Sequence, residues 1–282
     1  MPFSAIASGN VAAITGGASG IGLAAAERFA ALGLRVAIAD LGADRLQAAR
    51  QRILAAGARQ VLASQVDVAD AAALAVWQAE IIAAWGGVDV LMLNAGIGPD
   101  TSVLGPADIW QRMVAVNLWG VVNGAQAFVP DMLARGQGGM VICTGSKQGI
   151  TTPPGNPAYN IAKAGVKVFA EALEHDLRGR AEADTAARIS AHLLIPGFVH
   201  TGLTTGATQK PAAAWTPEQT VDFMMTSLQR GDFYILCPDN DVPRALDEQR
   251  ILWAAGDIVQ NRPPLSRWHK DHAAAFKAHL TR

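Results

Sequence analysis

The chain is poor in cysteine, in tyrosine and in net charge. Its 282 residues include two cysteines and two tyrosines, and 23 basic side chains are balanced by 24 acidic ones. Two cysteines make no disulfide framework, which indicates a reducing compartment, and the cytoplasm is the expected location. A formal net charge of -1 argues against nucleic acid or an anionic membrane as a partner.

Long apolar runs are lacking as well. No window reaches ~18 apolar residues without a charge, so no membrane-spanning helix is expected. The first residues, Met-Pro-Phe-Ser-Ala-Ile, have neither the basic start nor the apolar stretch of a signal peptide. Half of the residues are nevertheless hydrophobic, which is enough to bury the core of a single domain over 1–282.

Short apolar segments alternate with segments of helical spacing. Strands are predicted over 11–15, 35–39, 61–66, 88–93, 140–144, 189–195 and 233–236, and helices over 21–32, 43–56, 70–85, 159–178 and, in two stretches, 106–129. This order predicts an α/β fold in which a doubly wound parallel sheet of about seven strands has helices on both faces. Two regions fit the alternation poorly. We interpret 198–225 as a segment covering the substrate and 239–282 as a C-terminal tail.

A glycine-rich stretch, Thr-Gly-Gly-Ala-Ser-Gly-Ile-Gly, follows the first strand and opens the first helix. Glycines there allow a tight turn and a close approach to a pyrophosphate, and the helix N-terminus offers N–H groups and a positive dipole end. The spacing, Gly-x3-Gly-x-Gly, departs from the Gly-x-Gly-x-x-Gly fingerprint. The residues expected to contact a dinucleotide here are Gly16, Ala18, Ser19, Gly20, Ile21 and Gly22.

Asp40 ends the second strand and is the expected partner of the adenosine ribose hydroxyls. A carboxylate there repels a 2′-phosphate, so NAD is favoured over NADP. Leu41 occupies the position where a phosphate site would place a basic residue, which also favours NAD. The nearby Arg45 is a basic residue and argues for NADP. A helix cap or turn role for Asp40 is the alternative.

Two further strand ends complete the predicted cofactor site. Asp67 ends the third strand and is expected to accept a hydrogen bond from the adenine amino group, with Val68 supplying its backbone. Asn94, Ala95 and Gly96 end the fourth strand, where small residues let a cofactor lie against the backbone.

Tyr159 and Lys163 are four residues apart at the start of a predicted helix, which places them on one face. An ammonium beside a phenol favours the phenolate, so we expect the pKa of Tyr159 to fall and the phenol to act as an acid/base. Ser146 follows an apolar strand and is expected to share a substrate oxygen with Tyr159. A surface Tyr–Lys pair with an unrelated loop serine is the alternative.

Taken together in this order, these motifs resemble the short-chain dehydrogenase/reductase family over roughly residues 8–240. The resemblance implies a Rossmann-type fold, Tyr159 as general acid/base, Ser146 as the residue that orients the substrate oxygen, and Lys163 as the ligand of the nicotinamide ribose. It further implies that Asn117 holds a water in a proton relay. The Pro-Gly-x-x-x-Thr stretch, Pro196, Gly197, Val199 and Thr201, would contact the nicotinamide amide and the pyrophosphate.

The implied activity is hydride transfer between NAD(H) and a secondary alcohol or ketone, with no metal and with a homodimer or homotetramer as the assembly. Apolar residues in the regions that fit the alternation poorly favour a hydrophobic or aromatic substrate, with packing as the alternative for any single residue. Three alternatives stay open: a catalytically inactive dinucleotide-sensing or scaffold protein, an NADPH-dependent ketoacyl-type reductase, and a sugar-nucleotide epimerase or dehydratase. Lys147, directly after Ser146, is interpreted as a solvated surface charge, with contact to an acidic substrate as the alternative.

Overall fold

A seven-stranded parallel sheet forms the centre of the computed structural model, which describes residues 2–180, 188–203 and 209–281. The strand order is β3-β2-β1-β4-β5-β6-β7, so the predicted α/β fold is confirmed. The strands are β1 (Val11–Thr15), β2 (Arg35–Asp40), β3 (Val61–Gln65), β4 (Val90–Leu93), β5 (Gly139–Thr144), β6 (Ile189–Ile195) and β7 (Tyr234–Leu236). Between β1 and β4 the direction of winding reverses, and a crevice at the carboxyl ends of the strands is expected at that point.

Helices cover both faces of the sheet. They are α1 (Gly20–Ala31), α2 (Ala43–Ala55), α3 (Ala71–Trp85), α4 (Ala107–Val114), α5 (Gly120–Arg135), α6 (Gln148–Thr151), α7 (Pro157–Arg180), α8 (Pro217–Arg230), α9 (Arg244–Val259) and α10 (Ala273–His279). Successive residues of β1 belong to different cores: Ile14 packs with Phe29 of α1, and Ala13 lies in the core of Trp77 and Phe128. Because side chains alternate along a strand and both faces are covered, the central strands read as continuous apolar runs.

The region between β4 and β5 differs from the prediction at two places. A π-helical turn, Ala115–Trp119, joins α4 to α5, and α5 continues through Pro130 to Arg135. Proline removes a backbone donor and commonly ends a helix, which is why the sequence pattern placed the end at 129.

The predicted substrate-covering region, residues 198–225, extends into a helix. Residues 217–225 belong to α8, which begins with a capping box between Thr216 and Gln219. Met224 and Met225 of this helix are buried in the core with α1. The part before α8 contains an isolated bridge between Val199 and Trp215, and residues 204–208 lie outside the described residues.

The C-terminal tail folds into α9, α10 and short 3-10 turns. Trp253 of α9 is buried, and its indole Nε1 donates a hydrogen bond of 2.8 Å to Ser266 Oγ. The ring of His279 lies 5.2 Å from that of Trp253, so this histidine packs within the tail. Among the residues that the structure describes, no helix is both long and apolar enough to cross a membrane, and no cluster of three metal-ligating side chains occurs.

Candidate active site

The loop between β1 and α1 is packed too closely to admit side chains at two of its glycines. Gly16 has φ +64, and a Cβ there would lie 2.8 Å from Ala95 Cα. A Cβ on Gly22 would lie 2.2 Å from Gly16 O. Ser19, at the N-cap of α1, makes no capping hydrogen bond with its side chain. The loop therefore presents the uncapped N-terminus of a twelve-residue helix at the carboxyl edge of the sheet.

Asp40 lies beside this loop, at the end of β2. Its Oδ2 accepts a hydrogen bond of 3.2 Å from Ala18 N, and its Oδ1 accepts one of 2.8 Å from Leu41 N. Arg45 Nη2 is 3.0 Å from the same Oδ1. The carboxylate thus fixes the turn and also pairs with an arginine that is largely exposed, which is the residue that weighed against NAD in the sequence.

At the end of β3, Asp67 is already paired. Its Oδ2 lies 2.8 Å from Arg112 Nη1 of α4, and its Oδ1 accepts a hydrogen bond from Ala69 N. Partial burial would raise the pKa of Asp67, but these hydrogen bonds and the guanidinium charge hold it below its usual range. The Val68 carbonyl accepts a hydrogen bond of 3.3 Å from Asn123 Nδ2. Arg112 was not foreseen, because no local pattern links it to Asp67.

Asn94 joins three strand ends with its side chain. Its Nδ2 donates to Thr15 O at 3.2 Å, and its Oδ1 accepts a hydrogen bond from Thr144 Oγ1 at 3.2 Å. Thr15 Oγ1 in turn accepts hydrogen bonds from the backbone of Asn94 and Ala95. The amide of Asn94 therefore holds the glycine loop against β4 and β5 and leaves the small residues Ala95 and Gly96 at the crevice.

A capped helix start positions Tyr159. Asn156 Oδ1 accepts a hydrogen bond from Tyr159 N at 3.3 Å, and Pro157 occupies the first helical position, as expected at an N-terminus. Thr101, from the loop after β4, donates to the same Asn156 oxygen at 2.6 Å. The Asn-Pro pair is a local signal that could have fixed the start of α7 two residues earlier than predicted.

The electrostatics of the Tyr159–Lys163 pair differ from the prediction. Burial raises the pKa of Tyr159, and hydrogen bonding with Ser146 offsets only part of that effect. Lys163 Nζ is 5.8 Å from the Tyr159 ring centroid and donates a hydrogen bond of 2.8 Å to Thr144 O. Burial lowers the pKa of Lys163 itself to about 8. The prediction that the ammonium lowers the phenol pKa is therefore wrong for the protein alone, because the ammonium is itself desolvated and bonded elsewhere.

Asn117 lies in the π-helical turn and is fully buried. Its Oδ1 accepts a hydrogen bond of 2.8 Å from Ile97 N, and its Nδ2 donates one of 2.8 Å to Ile97 O. A Cβ added to Gly96 would be 3.4 Å from Asn117 Oδ1 and 3.8 Å from Lys163 Nζ. Asn117, Gly96 and Lys163 thus meet at the end of β4, and the Asn117 side chain is occupied by the backbone of Ile97.

Comparison with other proteins gives the family. Residues 10–212 match the family described as short chain dehydrogenase. The chain is 31% identical over 264 residues to a 1-deoxy-11-beta-hydroxypentalenate dehydrogenase of Streptomyces exfoliatus, covering 91% of this chain and 93% of that protein. The chain belongs to the short-chain dehydrogenase/reductase family. Members of this family are oxidoreductases, and this protein is accordingly an oxidoreductase.

Two solved structures of the family resemble the fold. One is a short-chain dehydrogenase/reductase from Burkholderia phymatum in complex with NAD, at a TM-score of 0.80 and 27% identity, covering 91% of this chain and 96% of that one. The other is a metagenomic short-chain oxidoreductase in complex with NADP, at a TM-score of 0.66 and 26% identity, covering 82% and 98%. Dinucleotides of both kinds therefore occur on this fold.

The Pro-Gly-x-x-x-Thr stretch, residues 196–201, follows β6 and lies over the glycine loop. A Cβ added to Gly20 would be 3.1 Å from Thr201 Cγ2, so Thr201 lies next to the N-terminus of α1. Val199 is buried and paired with Trp215. Pro196 O accepts a hydrogen bond from Lys147 N at 3.3 Å, which joins this stretch to the segment after Ser146.

Lys147 is not a solvated surface charge. Its side chain is only 16% exposed, and its Nζ lies 2.5 Å from Asp247 Oδ2 and 3.3 Å from Asp239 Oδ2. Asp239 Oδ2 also accepts a hydrogen bond from Phe198 N. A Cβ on Gly197 would lie 2.8 Å from Lys147 Nζ. Lys147 therefore joins the Ser146 segment, the stretch after β6 and the C-terminal tail, and its carboxylate partners are 92 and 100 residues away in the sequence.

Proposed function

We propose that this oxidoreductase uses NAD to interconvert a secondary alcohol and its ketone, with Tyr159 as the general acid/base. The observation that carries the proposal is the meeting of Tyr159, Ser146 and Lys163 at the carboxyl edge of β5. Ser146 lies close enough to the buried phenol to offset part of the rise in its pKa, and Lys163 donates a hydrogen bond to Thr144 O. When bound, the nicotinamide cofactor accepts or supplies the hydride.

The residues present fit a dinucleotide. A Cβ on Gly16 or Gly22 would clash with Ala95, Gly16 O or Asn94, so both glycines are required for the tight fold of the β1–α1 loop, the proposed dinucleotide cradle. The uncapped N-terminus of α1 at the end of this loop offers backbone donors to a pyrophosphate. Thr201 lies beside that N-terminus. Asp40, Leu41, Asp67 and Val68 would hold the adenosine end, and Ala95, Gly96, Lys163 and Val199 the nicotinamide end.

Proton transfer falls to the phenol. Tyr159 first loses its own proton to solvent, and the phenolate then takes the hydroxyl proton during oxidation; in reduction the phenol supplies that proton. The Ser146 hydroxyl donates to the same substrate oxygen and stabilises developing negative charge. The Asn117 side chain is occupied by Ile97, so a water of the proton relay would bind to its backbone.

Tyr159→Phe tests the proposal, because it removes one oxygen and no packing. We expect turnover to fall roughly 10²- to 10⁴-fold, while NADH binding, followed by fluorescence, stays nearly unchanged. Tyr234→Phe is the matched control, since the Tyr234 hydroxyl is bonded to Glu171 at the surface. A Tyr159→Phe enzyme with ordinary turnover would remove the phenol from the mechanism. Failure of the wild type to oxidise any alcohol would favour the scaffold alternative.

NADPH-dependent ketoacyl-type reduction is the second candidate, and one observation favours it. Arg45, in the first turn of α2, is largely exposed and lies beside Asp40 at the end of β2, where a guanidinium would favour a 2′-phosphate. Asp40 outweighs it, since a carboxylate at the turn repels that phosphate. Comparing the Kd of NADH with that of NADPH separates the two candidates.

A homodimer or homotetramer is the proposed assembly. Trp119, Ile161 and Val168 leave more than half of their side-chain surface exposed near or along α7, which supports a homodimer or homotetramer. We infer a small-molecule substrate with a hydrophobic or aromatic body and a cytoplasmic location. A panel of aryl and alicyclic secondary alcohols with NAD, read at the NADH absorbance, tests the substrate class.

A further inference from the structure

A cavity of about 300 Å³ lies between the segment after Ser146 and the C-terminal tail. One wall is formed by residues 147–153, and the other by α9 and the turn Ser266–Trp268. Gln148 lines the cavity, and its backbone N donates a hydrogen bond of 3.2 Å to Ser146 Oγ. The cavity therefore lies against the segment that directly follows Ser146, and its volume suits a small organic molecule.

Two guanidinium groups line this cavity. Arg250 Nε is buried and has no hydrogen-bond partner, and neither Arg250 nor Arg267 lies within ion-pair distance of a carboxylate in the described part of the chain. The Arg267 guanidinium stacks on Trp268, 4.7 Å from the ring centroid, and lies 5.5 Å from that of Phe276. Stacking holds a guanidinium in place while its in-plane N–H donors stay available.

The carboxylates near the two arginines already form ion pairs with Lys147. Asp247 lines the cavity, but it is paired with Lys147, which also binds Asp239. Burial and the charge of Arg250 lower the pKa of Arg267, while the charge of Asp247 acts in the opposite direction. An arginine stays charged even so. Lys147, Arg250 and Arg267 line the cavity with a single carboxylate, Asp247, so the lining carries a net positive charge.

Apolar side chains complete the walls. Ile150, Ile251 and Trp268 line the cavity beside the two guanidiniums. An ionised carboxylate is the anion that a guanidinium binds bidentately, and an aromatic or alicyclic body suits the rest of the lining. Phosphate alone would leave the apolar walls without a partner.

We propose that this cavity binds the carboxylate of the alcohol oxidised at Tyr159, so that the substrate is a secondary alcohol with an apolar body and a remote carboxylate. The inference rests on the proposed function and makes it more specific. It assigns Arg250 and Arg267 as specificity-determining residues, in place of the direct contact to an acidic substrate that the sequence left open for Lys147.

The test compares 4-(1-hydroxyethyl)benzoate with 1-phenylethanol as substrates and measures 4-acetylbenzoate binding by calorimetry. For the wild type we expect kcat/KM to favour the carboxylate alcohol at least tenfold. Arg250→Met and Arg267→Met should each remove most of that preference through KM, leave 1-phenylethanol unchanged and weaken 4-acetylbenzoate binding at least tenfold. Arg250→Lys should restore part of the binding. Arg244→Met is the matched control, since Arg244 lies on the same helix, is exposed and pairs with Glu248.

The outcomes separate the two proposals. Wild-type binding of 4-acetylbenzoate and an unchanged substrate preference in both methionine variants would overturn the carboxylate site while leaving hydride transfer intact. Binding that is lost in the variants, with no NADH formed from these two alcohols or from any of the aryl and alicyclic secondary alcohols above, would support an anion site and remove the proposed function. Equal use of the two alcohols by the wild type would contradict the carboxylate site whatever the variants do.

Discussion

The ammonium of Lys163 donates a hydrogen bond to the carbonyl oxygen of Thr144, with 2.8 Å between the two atoms. Thr144 is the last residue of β5, so this bond ties α7 to the strand that leads to Ser146. The lysine side chain is only 3% exposed, and burial lowers its pKa to about 8. A buried cation held by a neutral carbonyl opposes folding at neutral pH.

Lys163→Met should therefore change how stability depends on pH. Lysine binds protons more strongly in the unfolded chain, so its contribution to the free energy of unfolding rises as pH increases from about 8 to 10.5. The size of this rise is on the order of 3 kcal/mol. We expect the variant to lose that rise and all but a small fraction of turnover, measured by urea unfolding at several pH values and by NADH formation.

Lys167→Met is the control, because Lys167 lies one turn further along α7 and pairs with Glu171 while partly exposed. Its pH dependence should follow the wild type. If Lys163→Met and the wild type showed parallel stability curves between pH 8 and 10.5, the lysine would not be the titrating group.

The central strands and the glycine loop could be predicted from the sequence because their signals are local. β5 is buried on both faces and reads as an apolar run, and the glycines of the β1–α1 loop sit at fixed spacing. The same holds for the one-face placement of Tyr159 and Lys163. Such signals need only a few neighbouring residues, and the physical reason for each is contained in those residues.

Contacts between distant segments could not be predicted in this way. Lys147 reads as a surface charge until α9 brings Asp247 to it, and Asp67 reads as a vacant acceptor until α4 brings Arg112. The direction of the Tyr159 pKa depends on burial, which spacing alone does not encode. The cavity with Arg250 and Arg267 likewise exists only because the tail folds back onto the domain.

Gly22→Ala should disrupt the dinucleotide cradle. The new Cβ would lie 2.2 Å from Gly16 O and 2.6 Å from Asn94 Nδ2, so the loop must move. We expect a loss of roughly 1–3 kcal/mol in the free energy of unfolding and at least a tenfold loss in NADH affinity. Gly179→Ala is the control, since nothing lies within 4 Å of its Cβ position in α7, and helix propensity predicts a gain of roughly 0.5–1 kcal/mol. Unchanged NADH binding by Gly22→Ala would contradict the proposal that the β1–α1 loop holds the dinucleotide.

Asp40→Ser should weaken NADH binding and relax the discrimination against NADPH. The change removes the expected acceptor of the ribose hydroxyls and frees Arg45, whose Nη2 lies 3.0 Å from Asp40 Oδ1. A hydrogen bond to a charged group contributes roughly 1.5–3 kcal/mol, which corresponds to a tenfold or larger rise in the Kd of NADH. Asp44→Ser, at the exposed start of α2, is the charge-matched control. Equal losses in the two variants would indicate a general charge effect.

Lys147→Met should destabilise the protein more than the loss of an exposed ion pair would. The variant leaves Asp239 and Asp247, each 6% exposed, without their shared cation, and breaking a buried pair in this way costs about 3–5 kcal/mol. Burial already raises the pKa of Asp247, and Lys147 is the main group that opposes it. We therefore expect the pKa of Asp247 to rise further in the variant. The deficit in unfolding free energy should be full at neutral pH and shrink as pH falls through that raised value, since a protonated carboxyl carries no charge to bury.

Adding Asp247→Asn to Lys147→Met should recover part of the loss, whereas Arg244→Met should cost less than about 1 kcal/mol. A deficit that is the same at pH 5 and pH 8 would mean that lost packing, and not the orphaned carboxylates, sets the effect.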